Sequence, residues 1–101
     1  MREAQIHPTA VVHPGAKIGD GCRVGPFSVV GAGVSLGPDC ELVSHVVIQG
    51  VTETGEGCRF FPFCSIGLEP QDLKYRGEPT RVVIGSRNTF REFATVHAGT
   101  P

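Results

Sequence analysis

Between Leu68 and Arg81 the sequence reads LEPQDLKYRGEPTR, and residues 71 to 75 gather four kinds of polar chemistry. Gln71 offers an amide, Asp72 a carboxylate, Lys74 an ammonium and Tyr75 a phenol. Donors and acceptors of both charge signs at this spacing suit a polar ligand such as a sugar phosphate. Pro70, Pro79 and Gly77 keep the stretch from pairing as a strand. A plain surface insertion would look similar, because loops accept extra length at small cost.

Histidine is the other residue type that could do chemistry. The chain has His7, His13, His45 and His97. A catalytic zinc needs three protein ligands and an open position. These four are scattered and form no close pair such as HxxxxH, so no metal or other cofactor is expected. His7 and His13 each precede a proline and read as corner residues, and His45 falls in a turn position. His97 stands apart because it follows the polar segment closely. Phosphate-binding GxxxxGK and dinucleotide GxGxxG motifs do not occur. Asp20, Asp39 and Glu41 read as corner residues that keep the surface soluble.

The frame that must hold these groups is written in a period of six. Taking every sixth residue from Ile6 gives Ile6, Val12, Ile18, Val24, Val30, Leu36, Leu42, Ile48, Thr54, Phe60 and Ile66. After the polar segment the count resumes with Ile84, Phe90 and Val96. Only Thr54 breaks the run of large apolar side chains. The fifth column is small or β-branched, as at Ala10, Ala16, Cys22, Ser28, Val34, Cys40, Val46, Thr52, Cys58 and Cys64. Glycine recurs just after the apolar residue, and turn formers such as Gly15, Gly21, Gly33, Asp39 and Gly57 recur two further on.

This pattern predicts an all-β solenoid, with three short strands to a triangular coil of about 18 residues and coils stacked about 4.8 Å apart. One large and one small inward residue per strand can fill so narrow an interior. A single domain of about five coils over residues 1–101 is expected, with an external loop at 68–81. The count of 14 glycines and 8 prolines argues independently against a helical bundle. Cys22, Cys40 and Cys58 are 18 apart and should stack as buried free thiols on one inner wall. Ile66 to Ile84 is also 18 residues, which reads as one coil carrying a loop that leaves at a corner and rejoins in phase.

Net charge is −1, which gives no basic face for nucleic acid, and no apolar run is long enough to span a membrane. The start MREAQIHPTA lacks the apolar core of a secretion signal, so a cytoplasmic address is expected.

Several stretches together carry a family resemblance. They are IHPTAVVHPGAKIGDGCRVGPFSVVG, SHVVIQG and SIGLEPQDLKYRGEPTRVVIGSRNTFREFATVHAGT. The chain closely resembles the N-terminal part of the UDP-N-acetylglucosamine O-acyltransferases that begin lipid A synthesis. The segment PQDLKYRGEPTRVVIG, with REFATVHAGT at the expected distance after it, is the most specific piece. The resemblance implies a left-handed parallel β-helix that works as a homotrimer, with active sites between neighbouring helices. It implies transfer of a 3-hydroxyacyl chain from acyl carrier protein to the 3-hydroxyl of UDP-N-acetylglucosamine. It places Gln71, Asp72, Lys74 and His97 at the substrate, with Arg91 and Glu92 as structural support. The general-base histidine would lie beyond Pro101, so an N-terminal fragment with doubtful activity of its own is expected. A cut solenoid would also expose the edge of its last coil and tend to associate. Two other readings remain open: another hexapeptide-repeat enzyme, either a related acyltransferase or a zinc hydratase of the carbonic anhydrase kind, and a non-catalytic β-helix scaffold.

Overall fold

The computed structural model describes residues 2–68 and 81–97. All regular structure within them is strand. The first coil carries β1 (Gln5–Ile6), β2 (Val11–Val12) and β3 (Lys17–Ile18). The second carries β4 (Arg23–Val24), β5 (Val29–Val30) and β6 (Val34–Leu36). The third carries β7 (Glu41–Leu42), β8 (Val47–Ile48) and β9 (Val51–Thr54). The fourth carries β10 (Arg59–Phe60), β11 (Ser65–Leu68) and β12 (Arg81–Ile84), and the fifth β13 (Thr89–Phe90) and β14 (Thr95–His97).

Strands from successive coils pair in parallel into three sheets, the faces of a prism. Face A is β1-β4-β7-β10-β13, face B is β2-β5-β8-β11-β14 and face C is β3-β6-β9-β12. The fold is a left-handed parallel β-helix. Partners lie 18 residues apart along most of the helix, as in Gln5 on Arg23, Arg23 on Glu41 and Glu41 on Arg59.

Each strand alternates in, out, in, because successive side chains point to opposite sides of a sheet. Cys22 and Val24 are buried while Arg23 between them is exposed. The every-sixth residues from Val24 to Ile66 are buried, and so is Ile84. Phe60 is fully buried and stacks on Phe90, with ring centres 5.1 Å apart. Thr54, the polar exception, has its hydroxyl satisfied by the Gly55 carbonyl at 3.1 Å and by the Gly37 N–H at 3.2 Å. Among the described residues no buried side-chain nitrogen or oxygen lacks a partner.

The tight coil stacking explains the glycine column. A Cβ on Gly25 would run into the backbone carbonyl of Val43 in the coil above. The cysteine stack forms as the spacing predicts: Cys22, Cys40 and Cys58 are buried and free. Each thiol donates to a corner carbonyl, to Gly37 at 3.1 Å, Gly55 at 3.2 Å and Gly85 at 3.1 Å.

Two expectations change. After the polar segment the offset between partners becomes 30, as Arg81 on Val51, Arg59 on Thr89 and Ser65 on Thr95. That is twelve more than 18. Ile66 lies on face B and Ile84 on face C, the next face, so the two are not one coil apart. Between Leu68 and Arg81 the chain therefore has twelve residues more than a regular coil needs, and twelve is a multiple of six, which is why the apolar count kept its phase. The second change concerns Glu41. It is no corner residue but faces outward from β7 between Arg23 at 3.4 Å and Arg59 at 3.2 Å. Asp39 does sit at a corner, in a two-bond pair with Arg2 at 2.6 and 3.0 Å, and Arg2 holds its carboxyl below the usual range.

Candidate active site at the B–C corner

The site is built where β11 bends out of register. β11 pairs with β14 through Ser65 on Thr95 and Ile66 on Val96, then skips Gly67 so that Leu68 lies opposite His97. Gly67 makes the skip possible. It is buried with φ +79°, and a Cβ there would collide with the Gln49 carbonyl. Such a bulge bends the strand and re-aims the chain after it, a device common beside active sites.

His97 is exposed at the end of β14, on the same corner from which the chain departs after Leu68. The chain is described again at Arg81, the first residue of β12 on face C, where the Arg81 guanidinium meets Glu53 at 3.0 Å. Gln71, Asp72 and Lys74 lie outside the described residues. Chain length alone keeps Gln71 within about 11 Å of Leu68, since a residue spans at most ~3.6 Å. The backbone therefore brings His97 to the root of the segment that carries the amide, carboxylate and ammonium.

The other histidines do not join it. His7 hydrogen-bonds Thr9 at 2.9 Å on the A–B corner, and His13 follows β2 at an early B–C corner. His45 lies between the rings of Phe27 and Phe63, each centre 5.2 Å away. Among the described residues no three His, Cys, Asp or Glu side chains converge to hold a metal ion. Arg91 and Glu92 sit at the A–B corner, across face B from His97. The Arg91 guanidinium caps the Phe61 ring at 4.0 Å and pairs with Glu92 at 3.3 Å. No helix in the described residues is long and apolar enough to cross a membrane.

A model of the bacterial transferase hexapeptide, six repeats, matches residues 1–32 and 17–50. The acyl-[acyl-carrier-protein]–UDP-N-acetylglucosamine O-acyltransferase of Rickettsia canadensis is 50% identical over 99 residues, covering 98% of this chain and 38% of that protein. The enzyme of the same name from Thermodesulfovibrio yellowstonii is 47% identical, covering 92% of this chain and 36% of its own. The crystal structure of the Francisella novicida UDP-N-acetylglucosamine acyltransferase superposes with a TM-score of 0.92 at 46% identity, over 95% of this chain and 35% of that one.

The chain belongs to the UDP-N-acetylglucosamine O-acyltransferase family. It spans a little over a third of the length of these relatives. The acyltransferase resemblance drawn from the QDLKY and GEPT motifs thus extends to nearly the whole chain and to its three-dimensional course. One feature of this family member escaped the sequence pattern. Phe27, Phe63 and Phe93 are exposed at a corner and were hidden in a column that elsewhere holds turn formers.

Proposed function

We propose that the protein transfers a 3-hydroxyacyl chain from acyl carrier protein to the 3-hydroxyl of UDP-N-acetylglucosamine, the first step of lipid A synthesis. The observation that carries this reading is the Leu68–His97 register at the B–C corner, in a chain half identical to O-acyltransferases. In this reading Lys74 binds phosphate and Gln71 and Asp72 orient the sugar, all three from the 69–80 segment. His97 lines the same cleft beside the base. A histidine general base, expected past Pro101, takes the proton of the sugar hydroxyl. The oxygen attacks the thioester carbonyl, a donor steadies the oxyanion, and the collapsing intermediate expels the carrier thiolate, which takes up the proton. No covalent enzyme intermediate and no cofactor enter this scheme.

The working assembly in this reading is a homotrimer with clefts between neighbouring helices, located in the cytoplasm. Four buried, unpaired thiols suit a reducing compartment. Calorimetric titration of the full-length protein with UDP-N-acetylglucosamine tests the site. Lys74→Ala should weaken binding by about ten- to a hundred-fold, since charge-assisted hydrogen bonds contribute ~1.5–3 kcal/mol, and Gln71→Ala by less. Equal affinity in wild type and both variants would remove the ligand role of the segment.

A further inference from the structure

The inner wall beside the C–A corner carries a thiol in three successive coils. The column runs Ala4, Cys22, Cys40, Cys58 and Asn88, each residue standing just before the outward row of face A. The matching column of face B holds Ala10, Ser28, Val46, Cys64 and Ala94. That of face C holds Ala16, Val34, Thr52 and Val82. Many small residues therefore fit this position, and packing alone does not ask for sulfur three times in line.

The three thiols are free and at most 1% exposed. The Cys40 sulfur lies within hydrogen-bonding reach of both the Cys22 and the Cys58 thiols. Thr54, the polar break in the large apolar column, also reaches it. Its buried hydroxyl is 3.4 Å from Cys40 Sγ, so that either atom can donate to the other. Among the described residues no three His, Cys, Asp or Glu side chains could hold a metal ion together, so a tetrahedral ion has no place here. A two-coordinate ion asks only for two sulfurs in line. Two metal–sulfur bonds of about 2.3 Å end to end span ~4.6 Å, close to the ~4.8 Å between neighbouring strands. Thiolate ligands select soft ions such as Cu(I) over hard ones.

From this geometry we propose that the Cys22–Cys40–Cys58 column binds one soft monovalent metal ion of the Cu(I) kind, held between Cys40 and a neighbouring thiolate. Binding breaks the S–H bonds of two cysteines, forms two S–Cu bonds and releases two protons to solvent. Nothing is oxidised or reduced. The Thr54 hydroxyl donates to the Cys40 sulfur and offsets the negative charge that remains there. The ion enters from the first coil, where Ala4 below Cys22 is only half-buried and Ile6 is 46% exposed. The column borders the C–A corner, away from the B–C corner, and the proposal does not rest on the acyl-transfer reading.

Anaerobic titration of the reduced full-length protein with Cu(I), in competition with the colorimetric chelator bicinchoninate, tests the site. Wild type should withdraw one ion per chain into the column. Cys40→Ala removes the sulfur common to both pairs and should weaken that uptake by at least about a hundred-fold, because a single thiolate loses the advantage of two linked ligands. Cys22→Ala leaves the Cys40–Cys58 pair and should retain the uptake. Cys64→Ala removes an equally buried thiol outside the column and should bind as wild type does. A second measurement does not depend on how well the variants fold. X-ray absorption at the copper edge of the wild-type complex should show two sulfur neighbours and no nitrogen or oxygen. Equal uptake by Cys40→Ala and wild type, or an equal loss in Cys64→Ala, would overturn the site. So would nitrogen or oxygen ligands at copper, or a wild type that takes no ion from bicinchoninate. None of these outcomes bears on the binding of UDP-N-acetylglucosamine.

Discussion

At the residue scale, the cysteines show how one position can serve the fold and also set a pH limit on it. Cys58 and Cys64 are fully buried, and burial pushes both thiols up from their ordinary value. The folded chain therefore keeps these protons while the unfolded chain releases them near pH 9. The stabilisation is complete below that pH and is lost as pH rises, by up to about 1.4 kcal/mol per pH unit for each thiol. Thermal unfolding between pH 8 and 10 should show a falling midpoint. The fall should be shallower in Cys58→Ala, although that variant starts lower because a buried group has been removed. Parallel profiles in the two proteins would show that the thiols do not cause the decline. Gly67 makes the complementary point about conformation: the site depends on a buried position with φ +79° that only glycine occupies without strain.

At the scale of the strand, the inner stack outweighs the outer charge ladder. Phe60 is fully buried between coils and stacked on Phe90, so Phe60→Ala should lower unfolding free energy by about 3–5 kcal/mol. Glu41 bridges two arginines that are each more than half exposed. Glu41→Gln should cost about 1 kcal/mol or less and lose even that in molar salt. Urea unfolding of both variants decides the order, and an equal loss would contradict it. The same contrast marks what was legible in the sequence. Inward columns were legible because burial selects size and polarity at a fixed spacing, and Val12 through Val96 fell into place, whereas Ile6 in the first coil is exposed. The outward arrangement was harder to read. Glu41 looked like a corner residue because charge alone does not distinguish a strand's outer row from a turn. The row of Phe27, His45, Phe63 and Phe93 was missed because Phe contradicts the preference for small turn formers at positive φ. Reading positions 27, 45 and 63 at the coil period, with 93 after the insertion, was the signal that could have revealed it. In the site, His97 stood out by its nearness to the polar segment, whereas the Gly67 bulge that sets its register leaves no trace in a count of six.

At the scale of the whole molecule, the proposed site rests on the twelve residues added between Leu68 and Arg81, whose number is constrained by the repeat. A count modulo six cannot separate twelve added residues from a whole coil of 18, so the register on face C was needed to count them. Remove residues 69–80 and Arg81 would follow Leu68 directly. Val82 then takes the small inward column, exposed Val83 the outward row and Ile84 the large inward column, the places they hold now. Arg81 would fill the corner position that its partner Val51 holds one coil below. The shortened protein should therefore fold with stability within about 1 kcal/mol of the parent, since closing a loop of this length costs little entropy. It should lose binding of UDP-N-acetylglucosamine, because Gln71, Asp72 and Lys74 leave with the segment. Removing 69–79 instead shifts every later residue by one, turns Val83 inward and Ile84 outward, and should abolish cooperative unfolding of the later coils. Circular dichroism melts and calorimetry on the two deletions separate the roles. If the twelve-residue deletion unfolds as readily as the eleven-residue one, the segment belongs to the framework and is no insertion. If it folds and still binds the nucleotide sugar, the ligand is held elsewhere on the helix.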